Sequence, residues 1–415
     1  MKRSFLSMAC IAISAVGCRE GAKAGDTPAE KVAAYTPQVE QALGVKFKTP
    51  PKLEVRTRDQ VRQFLLERMQ EPDIKKQIAN QEAAYKLLGL IPDTLHLADL
   101  LVRVLTEQVI GFYDPKTKVL YVVQGAPEDV MGLTVMHELV HALQDQYVNL
   151  DSLERITGDD DRAAAVQAVI EGEATYESMY IASGGGNNIA AQFPGGWDTM
   201  RQSIRDAIKT QPVFSSAPRA LQEMMLFPYI NGADFVRRFQ GHYGKVLPLD
   251  SLPATTKQLM HDAAFFGKKD IPSEIIIPPI PGTFESNSMG EFGTRIFIYA
   301  HTRIEDLAIR ASNGWDGDRY DLVKTPGGNA MVWVTVWDTR QDGIEFIDAA
   351  NQVIRQRFNR VPRVTGERRH YETDHRTIDI DVREVDGRPV VLYVDVPAGQ
   401  STDLVDFSKV KVIPR

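Results

Sequence analysis

Cysteine is nearly absent from this chain. Among 415 residues there are two, Cys10 and Cys18, both at the extreme N-terminus. The body therefore has no internal disulfide, no cysteine metal ligand and no thiol nucleophile. An excess of positive charge is also missing. Lys and Arg number 48 against 55 Asp and Glu, a formal net charge of −7, which argues against nucleic acid or an anionic membrane surface as the main partner. The conspicuous apolar run, from about Phe5 to Val16, is shorter than the ~20 residues a membrane-spanning helix needs. Internal repeats are lacking too. What is present is ordinary for a globular protein: 43% apolar and 25% charged residues exclude disorder, and the length allows one large domain or two to three smaller ones.

The N-terminus stands apart. "MKRSFLSMACIAISAVGC" places Lys2 and Arg3 before the apolar run and small residues after it, the pattern of an export signal. Its end, Ala15-Val16-Gly17-Cys18, resembles a bacterial lipobox. The resemblance implies cleavage before Cys18 and a membrane anchor through a lipid on that residue, in the outer membrane if the host is Gram-negative; an ordinary cleaved signal is the alternative. Residues 19–31, polar and rich in small side chains, are expected to form a flexible tether.

The body is expected to be α+β and mostly helical. "PKLEVRT" (51–57) predicts a short strand, and helical spacing follows over 58–69 and, in two segments, over 74–108. "VIGFYDPKTKVLYVV" (109–123) switches to strand character around "DPKT" and predicts a hairpin. A helix over about 127–147 and another over 159–182 come next. Residues 198–210 and 216–240 also read as helical, with a break near "FPYING" (227–232), whereas "GWDGD" (314–318) reads as a turn. Alternating runs around Asp386-Gly387 predict a second hairpin in a β-rich C-terminal segment. The expected division is 1–18 signal, 19–31 tether, 32–358 main domain and 359–415 C-terminal segment.

The chemistry concentrates in "MHELVHALQDQ" (136–146). His137 and His141 are four residues apart on a helix, so both imidazoles leave one face and can chelate one ion. Glu138 points about 100° away around the helix, near such an ion without binding it, as a general base must. The alternative is a buried helix with two locally satisfied histidines. A catalytic zinc needs a third protein ligand, and the downstream candidates are Glu171 and Glu173 in "AVIEGEATY".

Here the chain resembles the gluzincin metallopeptidases, in which a glutamate on a downstream helix, often followed by Gly and then Ala two positions on, is the third ligand. The resemblance implies a zincin-like core with Zn2+ on His137, His141 and Glu171, and a role for Gly172 in letting the helix approach the His137 helix closely. Glu173, about 200° away on the wheel, is then expected on a solvated face. The chain departs from the pattern at Thr175, where many gluzincins carry an aspartate that supports a zinc histidine. Asp145, four residues after His141, is a substitute for that support, or a plain surface residue. More widely, "GFYDPKTKVLYV", "HELVHALQDQ", "IEGEA", "FPYINGADFV", "LPATTKQLMH" and the "GWDGDRYDL", "VWVTVWDT" and "GIEFIDA" blocks resemble, over roughly residues 100–358, a poorly characterised group of exported bacterial proteins similar to zinc metallopeptidases.

Tyr229 and His261, which lie in these blocks, are candidate oxyanion donors, each with a plain alternative as a packed tyrosine or a helix-capping histidine. The run "KVLYVV" (118–123) is either an edge strand able to pair with an extended peptide or sheet core. The expectation is a lipid-anchored zinc hydrolase acting on a peptide or protein substrate. Its rival is a non-catalytic envelope lipoprotein, a scaffold or binding module that keeps zinc for stability. Glu138 separates the two, because a structural site has no use for it.

Overall fold

A computed structural model describes residues 27–415 apart from 154, 186–198, 200–201, 203–204 and 207–209. The signal, Cys18 and most of the expected tether lie outside the described residues. The end of that tether is helical instead: α1 (Pro28–Leu43) starts at a capping box in which Thr27 and Glu30 bond reciprocally, a local signal that outweighs the polar composition. Next come β1 (Lys52–Arg56), α2 (Arg58–Met69), α3 (Pro72–Leu87), α4 (Leu97–Gln108), β2 (Gly111–Asp114), β3 (Val119–Val123), α5 (Glu128–Tyr147), α6 (Leu150–Leu153), α7 (Asp160–Ala182), α8 (Pro212–Ser216) and α9 (Arg219–Tyr243).

The later half contains α10 (Thr256–Met260), α11 (Asp262–Phe266), β4 (Glu274–Ile276), β5 (Thr283–Asn287), α12 (Gly290–Thr302), α13 (Glu305–Ser312), β6 (Trp315–Thr325), β7 (Gly328–Trp337), α14 (Arg340–Phe358), β8 (Arg363–Thr365), β9 (Arg368–Glu372), β10 (Arg376–Val385), β11 (Arg388–Pro397) and β12 (Lys411–Ile413). The fold is α+β, with the strands gathered towards the C-terminus.

The first sheet is small. Its order is β1-β3-β2, with β1 parallel and β2 antiparallel to β3. Of the two readings of β3, edge strand or sheet core, the second holds: it is central and buried at every position. Sequence pattern could not reveal that β1, more than 60 residues earlier, pairs with it; β2 forms the edge on the other side.

The second sheet has seven strands, β5-β6-β7-β11-β10-β9-β8, each antiparallel to its neighbours. Both faces are covered, which explains the nearly unbroken apolar run of β7. Met331, Trp333 and Trp337 face α12–α14, and Val332, Val334 and Val336 face the β4–β12 ladder and Phe407. The boundary expected at 358/359 falls inside this sheet, since β7 pairs with β11 in register from Met331–Asp395 to Val336–Val390. "GWDGD" is likewise not a turn but the bulged start of β6.

The packing of α7 positions the site. Almost every side chain from Ala165 to Ile181 is buried, because α1, α5, α9 and α12 surround it. Its closest neighbour is α9, which runs unbroken through the expected break, with Pro228 inside. A Cβ added at Gly232 would lie 1.9 Å from the Ala168 carbonyl oxygen, and one at Gly172 would lie 2.2 Å from the Gly232 carbonyl carbon. Gly172 thus permits close approach to α9, not to α5. The large sheet and α10 grip the other end of α7. Asp160 N–H donates to Asn287 at 2.8 Å, Asp161 accepts from Thr256 N–H at 3.0 Å, and Arg319 donates to the Gly158 carbonyl at 3.0 Å.

Candidate metal centre

The helix α5 is wedged between layers. Met131, Val135, Leu139 and Leu143 join the cluster containing Val39 and Leu43 of α1 and Leu120 and Val122 of β3. That packing fixes the rotation of the helix and turns His137 and His141, one turn apart, towards the middle of α7. There Glu171 Oε2 lies 3.2 Å from His137 Nε2 and 3.4 Å from His141 Nε2, and the two Nε2 atoms are 3.1 Å apart. One ligand atom from each residue falls within 4.8 Å of the others. All three side chains are buried.

The electrostatics are those of a closely spaced cluster. Burial pushes His141 down, but the negative charge and hydrogen bond of Glu171 outweigh it and raise the imidazole to about 9. Burial pushes Glu171 up, and the charges and hydrogen bonds of His141 and His137 pull it to about 2. Two imidazole nitrogens and a carboxylate oxygen converging in a buried cluster are a donor set that could hold one metal ion. Glu138 fits the same picture. It is fully buried, and neither carboxylate oxygen accepts a hydrogen bond from another described residue, a costly arrangement unless something else meets the charge. Gly111 of β2 brings backbone against it: a Cβ there would sit 3.7 Å from Glu138 Cγ and 2.9 Å from Thr134 Cγ2.

Two glutamines that motif reasoning missed complete the surroundings. Gln144 Oε1 lies 2.8 Å from His141 Nδ1, and its amide nitrogen donates to the Ile170 carbonyl at 3.1 Å and to Glu173 at 2.8 Å. Gln167 donates to the second oxygen of Glu171 at 2.8 Å. Their helical offsets, three residues after His141 and four before Glu171, were the available signal.

The remaining candidates divide. Tyr229 is buried with its ring centroid 6.3 Å from that of His137, so the fold brings it to the site. Asp145 does not support a histidine. It accepts from Tyr113 Oη at 2.7 Å, Lys118 Nζ at 2.6 Å and Leu150 N–H at 3.1 Å, so it ties the hairpin and α6 to α5. His261 pairs with the buried Glu291 at 2.8 Å, which Arg295 also contacts. That places it with α12, at the end of α7 marked by Asp161, ten residues or about 15 Å of helix from Glu171. Glu173 is not on a solvated face: it is buried, and that burial raises its carboxyl to about 8 despite the Gln144 hydrogen bond. Sequence spacing placed it opposite Glu171 but could not reveal that α7 is enclosed on all sides.

Comparison with known proteins adds little chemistry. A family model described as a domain of unknown function, DUF8575, matches residues 279–406, the region of the large sheet, and does not include the histidine motif. No curated protein matches the chain. A crystal structure of a provisionally assigned hydrolase with a novel fold from Chloroflexus aurantiacus aligns at 18% identity and a TM-score of 0.34, over 57% of this chain and 86% of that one. That likeness is too slight to transfer fold or activity.

Proposed function

We propose that this chain is a zinc-dependent hydrolase, a peptidase by its resemblance to the gluzincins, tethered to the bacterial envelope through Cys18. The observation that carries the reading is the pairing of a buried His137–His141–Glu171 cluster with a buried Glu138 whose oxygens have no partner among the described residues. His137, His141 and Glu171 would hold the ion, which when bound supplies charge to acidify a water and polarise a carbonyl. Glu138 takes the proton of the attacking water on its carboxylate and passes it to the leaving amine. Tyr229, whose ring lies beside that of His137, would steady the developing oxyanion.

A second reading, a zinc-stabilised envelope lipoprotein without catalysis, draws on the burial of all three ligands, since structural sites are closed. It leaves Glu138 unexplained. The test is a peptide library incubated with zinc-loaded protein beginning at Arg19 and read by mass spectrometry. Cleavage that falls by about 10²–10⁴ in Glu138→Gln, with zinc retained, supports the enzyme. Intact peptides with wild type, together with a marked loss of thermal stability on chelation, would favour the scaffold. For the anchor, Cys18→Ser should release the protein from membranes, and retention of that variant would refute lipidation.

A further inference from the structure

We infer that Gln144 is the positioning residue of the metal centre: it fixes which nitrogen of His141 faces the ion and locks α5 to α7 at that point. The inference rests on the metal reading above. A side-chain amide has one acceptor oxygen and one donor nitrogen. The nitrogen of Gln144 sits 3.1 Å from the Ile170 carbonyl oxygen and 2.8 Å from Glu173 Oε2. The carbonyl can only accept, so the amide cannot be turned over without setting oxygen against oxygen. Oε1 must then face His141 Nδ1, at 2.8 Å, and that nitrogen must carry a proton. Nε2, the atom 3.4 Å from Glu171, is left as the nitrogen with a lone pair for the ion.

The contact with Ile170 matters as much as the one with His141. Ile170 precedes the ligand Glu171 in the chain, so one buried amide, 1% exposed, sets the orientation of a ligand on α5 against the backbone position of a ligand on α7. Among the described residues, Thr175, one helical turn after Glu171, leaves its buried hydroxyl without a hydrogen bond and provides no such support. Partners that hold a ligating histidine typically contribute 10–100-fold in metal affinity.

The test compares wild type with Gln144→Met, which keeps the length of the side chain and removes its hydrogen bonds. Zinc affinity is measured by competition with a chromophoric chelator, and the imidazole N–H groups of the zinc-loaded, ¹⁵N-histidine-labelled proteins are followed by NMR. Gln144→Met should bind zinc about 10–100-fold more weakly and lose a slowly exchanging His141 Nδ1–H that wild type displays. Affinity within twofold of wild type, or an equally protected Nδ1–H in the variant, would overturn the positioning role. If the variant does not fold, the wild-type spectrum decides alone: zinc on Nδ1, or a rapidly exchanging Nδ1–H, overturns it. A wild type that binds no zinc would overturn the metal reading and this inference together, whereas failure of the inference by itself appears only in the variant or in the His141 signals.

Discussion

Replacing Gly232 by alanine would put a methyl group between two helices that have no room for it. The new Cβ would lie 1.9 Å from the Ala168 carbonyl oxygen, 2.8 Å from its carbon and 3.0 Å from Gly172 Cα. Ordinary contact needs roughly 3.5 Å, so α9 and α7 must part by about 1.5 Å. The obstacle is backbone and cannot rotate away. Overpacking of this kind costs about 1–3 kcal/mol and sometimes more. Against it stands a helix-propensity gain of about 1 kcal/mol for alanine over glycine, which leaves a net destabilisation of about 0–2 kcal/mol. Gly241, on the same helix, has nothing within 4 Å of a built Cβ. Gly241→Ala therefore isolates the propensity gain and should stabilise by about 0.5–1 kcal/mol. Urea unfolding of the two variants and wild type, all metal-free, reads the comparison. Because Gly172 follows Glu171, parting the helices should also weaken zinc binding in Gly232→Ala. A Gly232→Ala protein as stable as Gly241→Ala would refute the close-packed crossing of α7 and α9.

Burial raises the Glu177 carboxyl to about 7, with Gln240 and Lys245 pulling the other way. The folded chain thus keeps a proton that the unfolded chain releases, and stability from this group is lost as pH rises from about 4.5 to about 7, by roughly 3 kcal/mol in all. Glu177→Gln should raise the melting temperature at pH 8 and change it little at pH 4.5; an equal gain at both would contradict the assignment. Asp145→Ala should lower stability by about 1–3 kcal/mol through the hydrogen bonds lost to Tyr113, Lys118 and Leu150, yet leave metal content at the wild-type value. Loss of metal would return Asp145 to the support of a ligand. His261→Ala should likewise keep the metal, since its partner is Glu291, and a metal-free variant would place it back in the site.

What could be read in advance was local. His137 and His141 share a face because four residues make about one helical turn. The hairpins at 111–123 and 376–397 followed from turn residues between strand-like runs. What could not be read depends on partners far apart in sequence. The central place of β3 comes from β1, the continuity of the large sheet across residue 358 from the pairing of β7 with β11. Proline and glycine misled in "FPYING", because α9 accommodates Pro228 and uses Gly232 for contact with α7. The four-residue spacing from His141 pointed to Asp145, yet Gln144 beside it holds His141. A residue's chemical fitness for a role did not reveal which way its side chain faced.

The central claim is that His137, His141 and Glu171 hold a metal that Glu138 does not help to bind. Metal content by mass spectrometry on the protein beginning at Arg19, purified with zinc present, tests it directly. About one zinc per chain in wild type and in Glu138→Gln, with loss in His137→Ala and Glu171→Ala, is the predicted result. Zinc missing from wild type would contradict the account, and zinc retained in Glu171→Ala would contradict the ligand set.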